Sequence, residues 1–180
     1  MNRRGFVVWL TGLPASGKTS IARRLERFLR DRGFRVELLD GDEVRRWLSP
    51  EAGFSREDRE RHLRRVAYVA KLLARNGVAV IASFVSPYRS VREVARRLVE
   101  REGLKFVEVY VKCSLEECMR RDPKGLYRKA LRGEIKDMTG VQDPYEEPLN
   151  PEVVVDSERT QPDTCARRIL DKLRELQLID

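Results

Sequence analysis

The sequence predicts an α/β domain built on a mainly parallel sheet, and three observations predict it. Short apolar runs of strand length alternate along the chain with amphipathic helical stretches. The first run, Phe6-Val7-Val8-Trp9-Leu10-Thr11, is continuous rather than alternating, as a strand buried on both faces requires. It leads into Gly12-Leu13-Pro14-Ala15-Ser16-Gly17-Lys18-Thr19, a complete G-x-x-x-x-G-K-[ST] loop that opens a helix.

The remaining elements follow in order. The first helix carries Ile21, Leu25, Phe28 and Leu29 at i, i+4, i+7 and i+8 and ends near Gly33. Val36 to Leu39 reads as a second strand and Glu43 to Trp47 as a short helix. Ser55, with Asp58 three residues on as a capping box, opens a long helix whose apolar stripe is Leu63, Val66, Ala67, Ala70 and Leu73. Asn76-Gly77 stops it, and Val78 to Ala82 is a third strand. Ser90 and Glu93 cap the next helix, with Val91, Val94, Ala95, Leu98 and Val99 as its stripe. Phe106 to Val111 is a fourth strand, Ser114 with Glu117 opens a further helix, and Val153 to Val155 is a fifth strand. Thr160 and Asp163, with Pro162 between them, open the last helix, which carries Cys165, Ile169, Leu173 and Leu176.

Composition bounds the function. The 180 residues fit one domain, and 41% hydrophobic content is enough for its core. No run of about 18 apolar residues exists, which excludes a membrane-spanning helix. The start, Met1-Asn2-Arg3-Arg4-Gly5, is too short and wrongly flanked for a secretion signal. Cys113, Cys118 and Cys165 form neither an even framework nor a C-x-x-C pair, which favours a reducing, cytoplasmic setting. The net charge of +8 suits either a nucleic-acid binder or an enzyme of anionic small molecules. Both signs are mixed along most helices, so solvated surface is favoured over a nucleic-acid footprint.

Ligands on parallel sheets sit outside the carboxyl ends of the strands. After the first strand, the loop glycines let successive N–H groups converge on phosphate oxygens, and the helix N-terminus adds its positive end. Lys18 would reach the β- and γ-phosphates and the Thr19 hydroxyl would join a Mg²⁺ shell. After the second strand, Asp40 and Asp42 flank Gly41. Asp40 is placed to accept a proton from an attacking hydroxyl or to hold Mg²⁺, and Asp42 caps the next helix, acts at the site, or does both. Beyond them, Arg45 and Arg59 suit a phosphate or sulfate. Phe54 is either a stacking platform for a base or the apolar staple before the helix cap. His62, the only histidine, reads as an exposed residue on the helix face opposite the apolar stripe. After the third strand comes Ser83-Phe84-Val85-Ser86-Pro87-Tyr88-Arg89, with no acidic residue of the kind a GTPase offers there. This hydroxyl-rich turn fits a substrate shelf, where Ser86 would bond an anion or accept a phosphoryl group.

Seven blocks carry a resemblance. They are Gly12 to Thr19, Leu39-Asp40-Gly41-Asp42-x-Val44-Arg45, Gly53-Phe54-Ser55-x-x-Asp58-Arg59, Ser83 to Arg89, Arg121-Asp122-Pro123-Lys124-Gly125-Leu126-Tyr127, Gly133-Glu134-Ile135-Lys136-x-x-Thr139-Gly140, and Pro144-Tyr145-Glu146. From about Gly5 to about Leu176 the chain resembles the adenylylsulfate kinases, P-loop enzymes of sulfate activation. The resemblance implies a nucleoside-monophosphate-kinase-like, five-stranded parallel sheet with a lid at about residues 120–140, and a homodimer. It implies transfer of the ATP γ-phosphoryl group, with Mg²⁺, to the 3′-hydroxyl of adenosine 5′-phosphosulfate. ATP would lie on Gly12 through Ser20 with Arg121, and Mg²⁺ at Thr19 and Asp40. Lys18, Asp40 and Ser86 would be catalytic, Ser86 matching a serine that the family labels a phosphoserine intermediate. In-line transfer needs only positioning, Mg²⁺ and cations, which makes that phosphorylation a side event. The acceptor would meet Asp40, Asp42, Arg45, Phe54, Arg59, His62, Phe84, Val85 and Ser86. From the lid it would meet Lys124, Gly125, Leu126, Lys136, Met138 and Thr139. The family often has Asn at the position of His62 and a second Phe at that of Met138. Two other readings are another P-loop kinase of a small alcohol or nucleotide and a nucleotide-dependent nucleic-acid-binding module.

Overall fold

The computed structural model describes residues 4–180; Met1 to Arg3, part of the stretch weighed against a secretion signal, lie outside the described residues. The element order is β1 (Phe6–Thr11), α1 (Lys18–Arg30), β2 (Val36–Asp40), α2 (Gly41–Leu48), α3 (Arg56–Arg75), β3 (Ala79–Ser83), α4 (Arg89–Glu100), β4 (Lys105–Lys112), α5 (Leu115–Arg121), α6 (Leu126–Leu131), β5 (Val153–Asp156) and α7 (Pro162–Glu175). The five strands form one parallel sheet in the order β2-β3-β1-β4-β5. Among the described residues, no helix is long and apolar enough to cross a membrane.

All six residues of β1 are buried, because the strand is central and both faces of the sheet are covered. Phe6, Val8 and Leu10 pack with Ile21, Leu25 and Leu29 of α1 and Ile169 and Leu173 of α7. Val7 and Trp9 point the other way, into Leu63, Val66 and Ala70 of α3 and Val91, Ala95 and Val99 of α4. Trp9 lies between the rings of Phe84 and Phe106, at 5.9 and 5.8 Å. A third, smaller cluster joins Cys113 and Cys118 to Tyr127, Ala130 and Met138 beside the phosphate loop.

Helix entries show where local sequence governs and where it does not. Ser55 Oγ accepts from Asp58 N–H at 3.1 Å, and the Asp58 carboxylate reaches back to Gly53 N–H at 3.0 Å. Ser114 Oγ accepts from Glu117 N–H at 3.2 Å. Ser90 does not cap α4, which starts at Arg89 after Tyr88. The Arg89 N–H is accepted instead by Glu146 Oε1 at 3.0 Å, a cap supplied 57 residues away. Thr160 does not cap α7, which starts at Pro162 after Gln161. Thr160 belongs to the turn after β5, where its N–H donates to Asp156 C=O at 3.0 Å. Nor does Asp42 cap α2: the Asp40 carboxylate accepts from Gly41 N–H at 2.9 Å, and Asp42 lies in the first turn.

Candidate active site

One cleft of about 1410 Å³ opens at the carboxyl ends of the strands. It is lined on one side by the loop after β1 and on the other by α2, the start of α3 and the turn after β3. The segment 120–139 and residues 157–162 complete its rim.

Backbone geometry builds the phosphate loop. A Cβ on Gly12 would lie 2.6 Å from Val111 C=O, so only glycine fits against β4. Ala15 and Gly17 take left-handed backbone angles, with φ of 65° and 93°, turning the loop into α1. Lys18 Nζ bridges the loop, donating to Gly12 C=O at 2.9 Å, Leu13 C=O at 2.7 Å and Ser16 Oγ at 3.3 Å. Burial lowers its pKa from 10.5 to about 8, against the pull of nearby Asp40. The Thr19 hydroxyl donates to Asp40 Oδ1 at 3.2 Å. Asp40 thus arrives beside the loop from the end of β2, level with Ser83 at the end of β3.

That pair of oxygens fits Mg²⁺, which takes one or two protein oxygens and fills its octahedron with water and phosphate. Among the described residues, no group of three or more His, Cys, Asp or Glu side chains gathers as a closed metal cage.

On the wall formed by α2 and the start of α3, Phe54 is 61% exposed with the Arg45 guanidinium 4.7 Å above its ring. That exposure rules out the apolar staple, whose partner position at the fourth helical residue is occupied by Arg59. Arg59 is committed to the far wall: Nη1 donates to Thr139 Oγ1 and to Asp143 Oδ2, both at 2.8 Å, and Nη2 to Asp137 C=O. Lys124 and Asp42 form an exposed ion pair between α2 and the segment 120–140.

His62 is not the exposed residue its sequence context suggested: it is 3% exposed. With Val66 and Ala70 it shares a row spaced by four, which extends the buried stripe of α3. Its Nδ1 lies 2.9 Å from Ser49 Oγ, and its ring meets Phe84 edge-on at 5.7 Å. Burial first, then Arg45 and Arg65, lowers its pKa to about 4, so it is neutral at pH 7. His62 Nε2 and Ser83 Oγ are buried without a hydrogen-bond partner among the described residues, and both residues line the cleft.

The turn after β3 is locked from below. Thr11 Oγ1 donates to Val85 C=O at 2.7 Å. Ser86 is 2% exposed with φ of 40°; its Oγ accepts from Trp9 Nε1 at 3.0 Å and donates to Phe84 C=O at 3.2 Å. Its hydroxyl therefore faces the sheet.

Along 120–140, Arg121 donates to Glu117 Oε1 and to Ser157 C=O, both at 2.8 Å. Tyr127 Oη donates to Pro14 C=O at 2.8 Å, tying α6 to the phosphate loop. Met138 is buried in the third apolar cluster and also lines the cleft.

Of the residues singled out from the sequence, Pro14, Ala15, Gly17, Lys18, Thr19, Ser20, Asp40, Asp42, Arg45, Phe54, Arg59, His62, Phe84, Val85, Ser86, Arg121, Lys124, Leu126, Lys136, Met138 and Thr139 line this cleft. Gly12, Leu13, Ser16 and Gly125 do not line it; the first three shape the loop from behind, and Gly125, with φ of 66°, turns the chain into α6. Residues 157–162 also line it and lie outside the set the sequence singles out. The signal was present, since Ser157 follows the fifth strand as the other turns follow theirs, and Ser157 Oγ donates to Ser16 C=O at 2.6 Å.

A family model described as adenylylsulphate kinase matches residues 4–156. A probable adenylyl-sulfate kinase of Aeropyrum pernix is 62% identical over 155 residues, covering 86% of this chain and 85% of that one. The adenylyl-sulfate kinase of Myxococcus xanthus is 50% identical, covering 98% and 95%. The Mycobacterium tuberculosis APS kinase solved in complex with AMPPNP and APS superposes with a TM-score of 0.92 at 43% identity, covering 95% of this chain and 98% of that one.

Proposed function

The chain belongs to the adenylylsulfate kinase family, and from that premise we propose how its cleft moves the γ-phosphoryl group of ATP to the 3′-hydroxyl of adenosine 5′-phosphosulfate. The observation that carries the reading is the meeting of Lys18, Thr19 and Asp40 at the floor of one cleft whose opposite wall holds Phe54, Arg45 and Phe84.

Main-chain N–H groups between Gly12 and Ser20, at all but the position held by Pro14, cradle the triphosphate, and Lys18 swings from the loop carbonyls to the β- and γ-phosphates. Arg121, beside Gly17 and Ser157, adds charge at the same end. Thr19 and Asp40 would hold Mg²⁺, which would supply positive charge against the phosphate oxygens. Asp40 accepts the proton of the acceptor hydroxyl as it attacks in line. Phe54 stacks on the acceptor base, Arg45 takes its phosphosulfate charge, joined by Arg59 as it exchanges its bonds to Thr139 and Asp143 for the anion, and Asp42, His62, Phe84, Val85, Met138 and Thr139 shape its pocket. Ser86 holds the wall in place, and transfer proceeds without a covalent step on it.

The segment at about 120–140 acts as a lid within a single 180-residue domain. Lys124, Gly125, Leu126 and Lys136 close over both nucleotides and exclude water. The enzyme works as a homodimer in the cytoplasm, where its three buried, free cysteines stay reduced.

The test is the product. After incubation with MgATP and adenosine 5′-phosphosulfate, mass spectrometry should find one added phosphate on the acceptor's 3′-oxygen. Phosphate at another position, or an unmodified acceptor beside consumed ATP, contradicts the reading.

A further inference from the structure

Pro144-Tyr145-Glu146 stands out in the sequence, yet none of its residues lines the cleft. Its contacts reach both halves of the site. Tyr145 Oη lies 2.8 Å from Thr11 Oγ1, at the end of β1 and one residue before the phosphate loop. Glu146 N–H donates to Pro87 C=O at 2.8 Å, and its carboxylate caps α4. Arg89 Nε donates to Glu147 C=O at 2.7 Å. Asp143 accepts from Arg59 and from Tyr88 Oη. Residues 143–147 thus run as a strap along the turn that carries Phe84, Val85 and Ser86.

Arg92, from the second turn of α4, joins this strap to the turn. It is 2% exposed, and each arm of its guanidinium is used. Nη1 donates to Ser86 C=O at 2.5 Å, Nη2 to Glu146 C=O at 2.5 Å, and Nε to Glu108 Oε2 at 3.2 Å. The guanidinium also lies 5.7 Å from the Tyr145 ring centroid. A buried cation is tolerated only when paired and fully bonded, and Glu108 supplies the opposite charge. A planar fork can span two carbonyls and a carboxylate at fixed angles, which a lysine ammonium cannot reproduce. Ser86, the residue so held, has a backbone φ of 40°, a region that non-glycine residues keep only when their surroundings impose it.

We propose that Arg92 and Tyr145 are positioning residues: through the 143–147 strap they fix the acceptor wall Phe84–Ser86 against the end of β1, setting the approach of the acceptor hydroxyl to the phosphate loop. This rests on the kinase reading of the cleft. Neither residue lines the cleft; each acts through the main chain or through Thr11. Arg96 is the internal control. It lies one turn further along α4 in the same charge cluster, pairs with Glu152 at 2.7 and 2.9 Å, and bonds neither the strap nor the turn.

The experiment compares Arg92→Lys, Tyr145→Phe and Arg96→Lys in the full chain, at a temperature where circular dichroism shows each folded. It reads kcat and the KM of each substrate separately. Arg92→Lys should lower kcat by about 100-fold, the scale of a small misplacement of reacting groups, while KM for ATP stays at the wild-type value. Tyr145→Phe should lower kcat by about fivefold, the scale of one lost hydrogen bond. Arg96→Lys should shift the unfolding midpoint and leave kcat unchanged. Wild-type kcat in both folded Arg92→Lys and Tyr145→Phe overturns the proposal, as does an equal loss in Arg96→Lys. Should Arg92→Lys fail to fold, Tyr145→Phe decides alone: a lowered kcat supports the strap and an unchanged one overturns it. A wild-type chain that forms no ADP in response to the acceptor instead defeats the kinase reading beneath it.

Discussion

Burial of Lys18 in the phosphate loop lowers its pKa from 10.5 to about 8, so its charge is lost as the pH rises through about 8. Protonated Lys18 attracts phosphate and neutral Lys18 does not. As pH rises through about 8, kcat/KM for ATP should therefore fall, because that ratio reports the free enzyme. Lys18→Arg, whose guanidinium stays charged, should lose that limb even while its overall activity drops; a limb that persists unchanged contradicts the assignment. Asp40→Asn should lower kcat by about 100-fold or more, as loss of a general base does, with the fold intact by circular dichroism; near-normal turnover would reject Asp40 as the base. His62 makes a different prediction, on stability. Its folded pKa of about 4 lies below the unfolded 6.5. Between those values the unfolded chain binds the proton and the folded one does not, so stability falls as pH drops from 6.5 to 4. The loss is on the order of 3 kcal/mol, and His62→Asn should remove it from the pH dependence of urea unfolding. Equal acid-side slopes in both proteins would contradict it.

Elements were legible where local chemistry sets their limits. Ser55 and Ser114 cap α3 and α5 through their own side chains, and both starts could be read from the sequence. Ser55→Ala should cost about 1 kcal/mol in thermal or urea unfolding; an unchanged midpoint would show that Asp58 and Gly53 hold the turn without it. The start of α4 was not legible, because its cap is Glu146, brought in by tertiary folding. The burial of Arg92 on the inner face of α4 was hidden for the same reason: a stripe of apolar residues does not announce the cation that joins it. The spacing of His62 to Val66 and Ala70 puts it on the buried row of α3, and only its polar side chain points, wrongly, to the wet face.

At the scale of the molecule, alternation of strand and helix marks a parallel sheet, and the phosphate loop marks where its ligand end lies. The strand order is set elsewhere, by which apolar surfaces meet: β3 enters between β2 and β1, which carries Ser83 and the wall behind it up against Asp40 and the loop. Most of the cleft residues legible in the sequence follow the first three strands; those of the segment 120–140 rest on the family resemblance, and residues 157–162, which follow the fifth strand, fall outside both. The central claim is that donor and acceptor nucleotides share this one cleft, with Asp40 between them. It is tested most directly by ADP formation from MgATP measured without acceptor, with adenosine 5′-phosphosulfate, and with its 3′-deoxy analogue. ADP release should rise strongly with the 3′-hydroxyl acceptor and stay at the acceptor-free rate with the analogue, which should also inhibit competitively against the true acceptor. Equal ADP release under all three conditions would contradict the account.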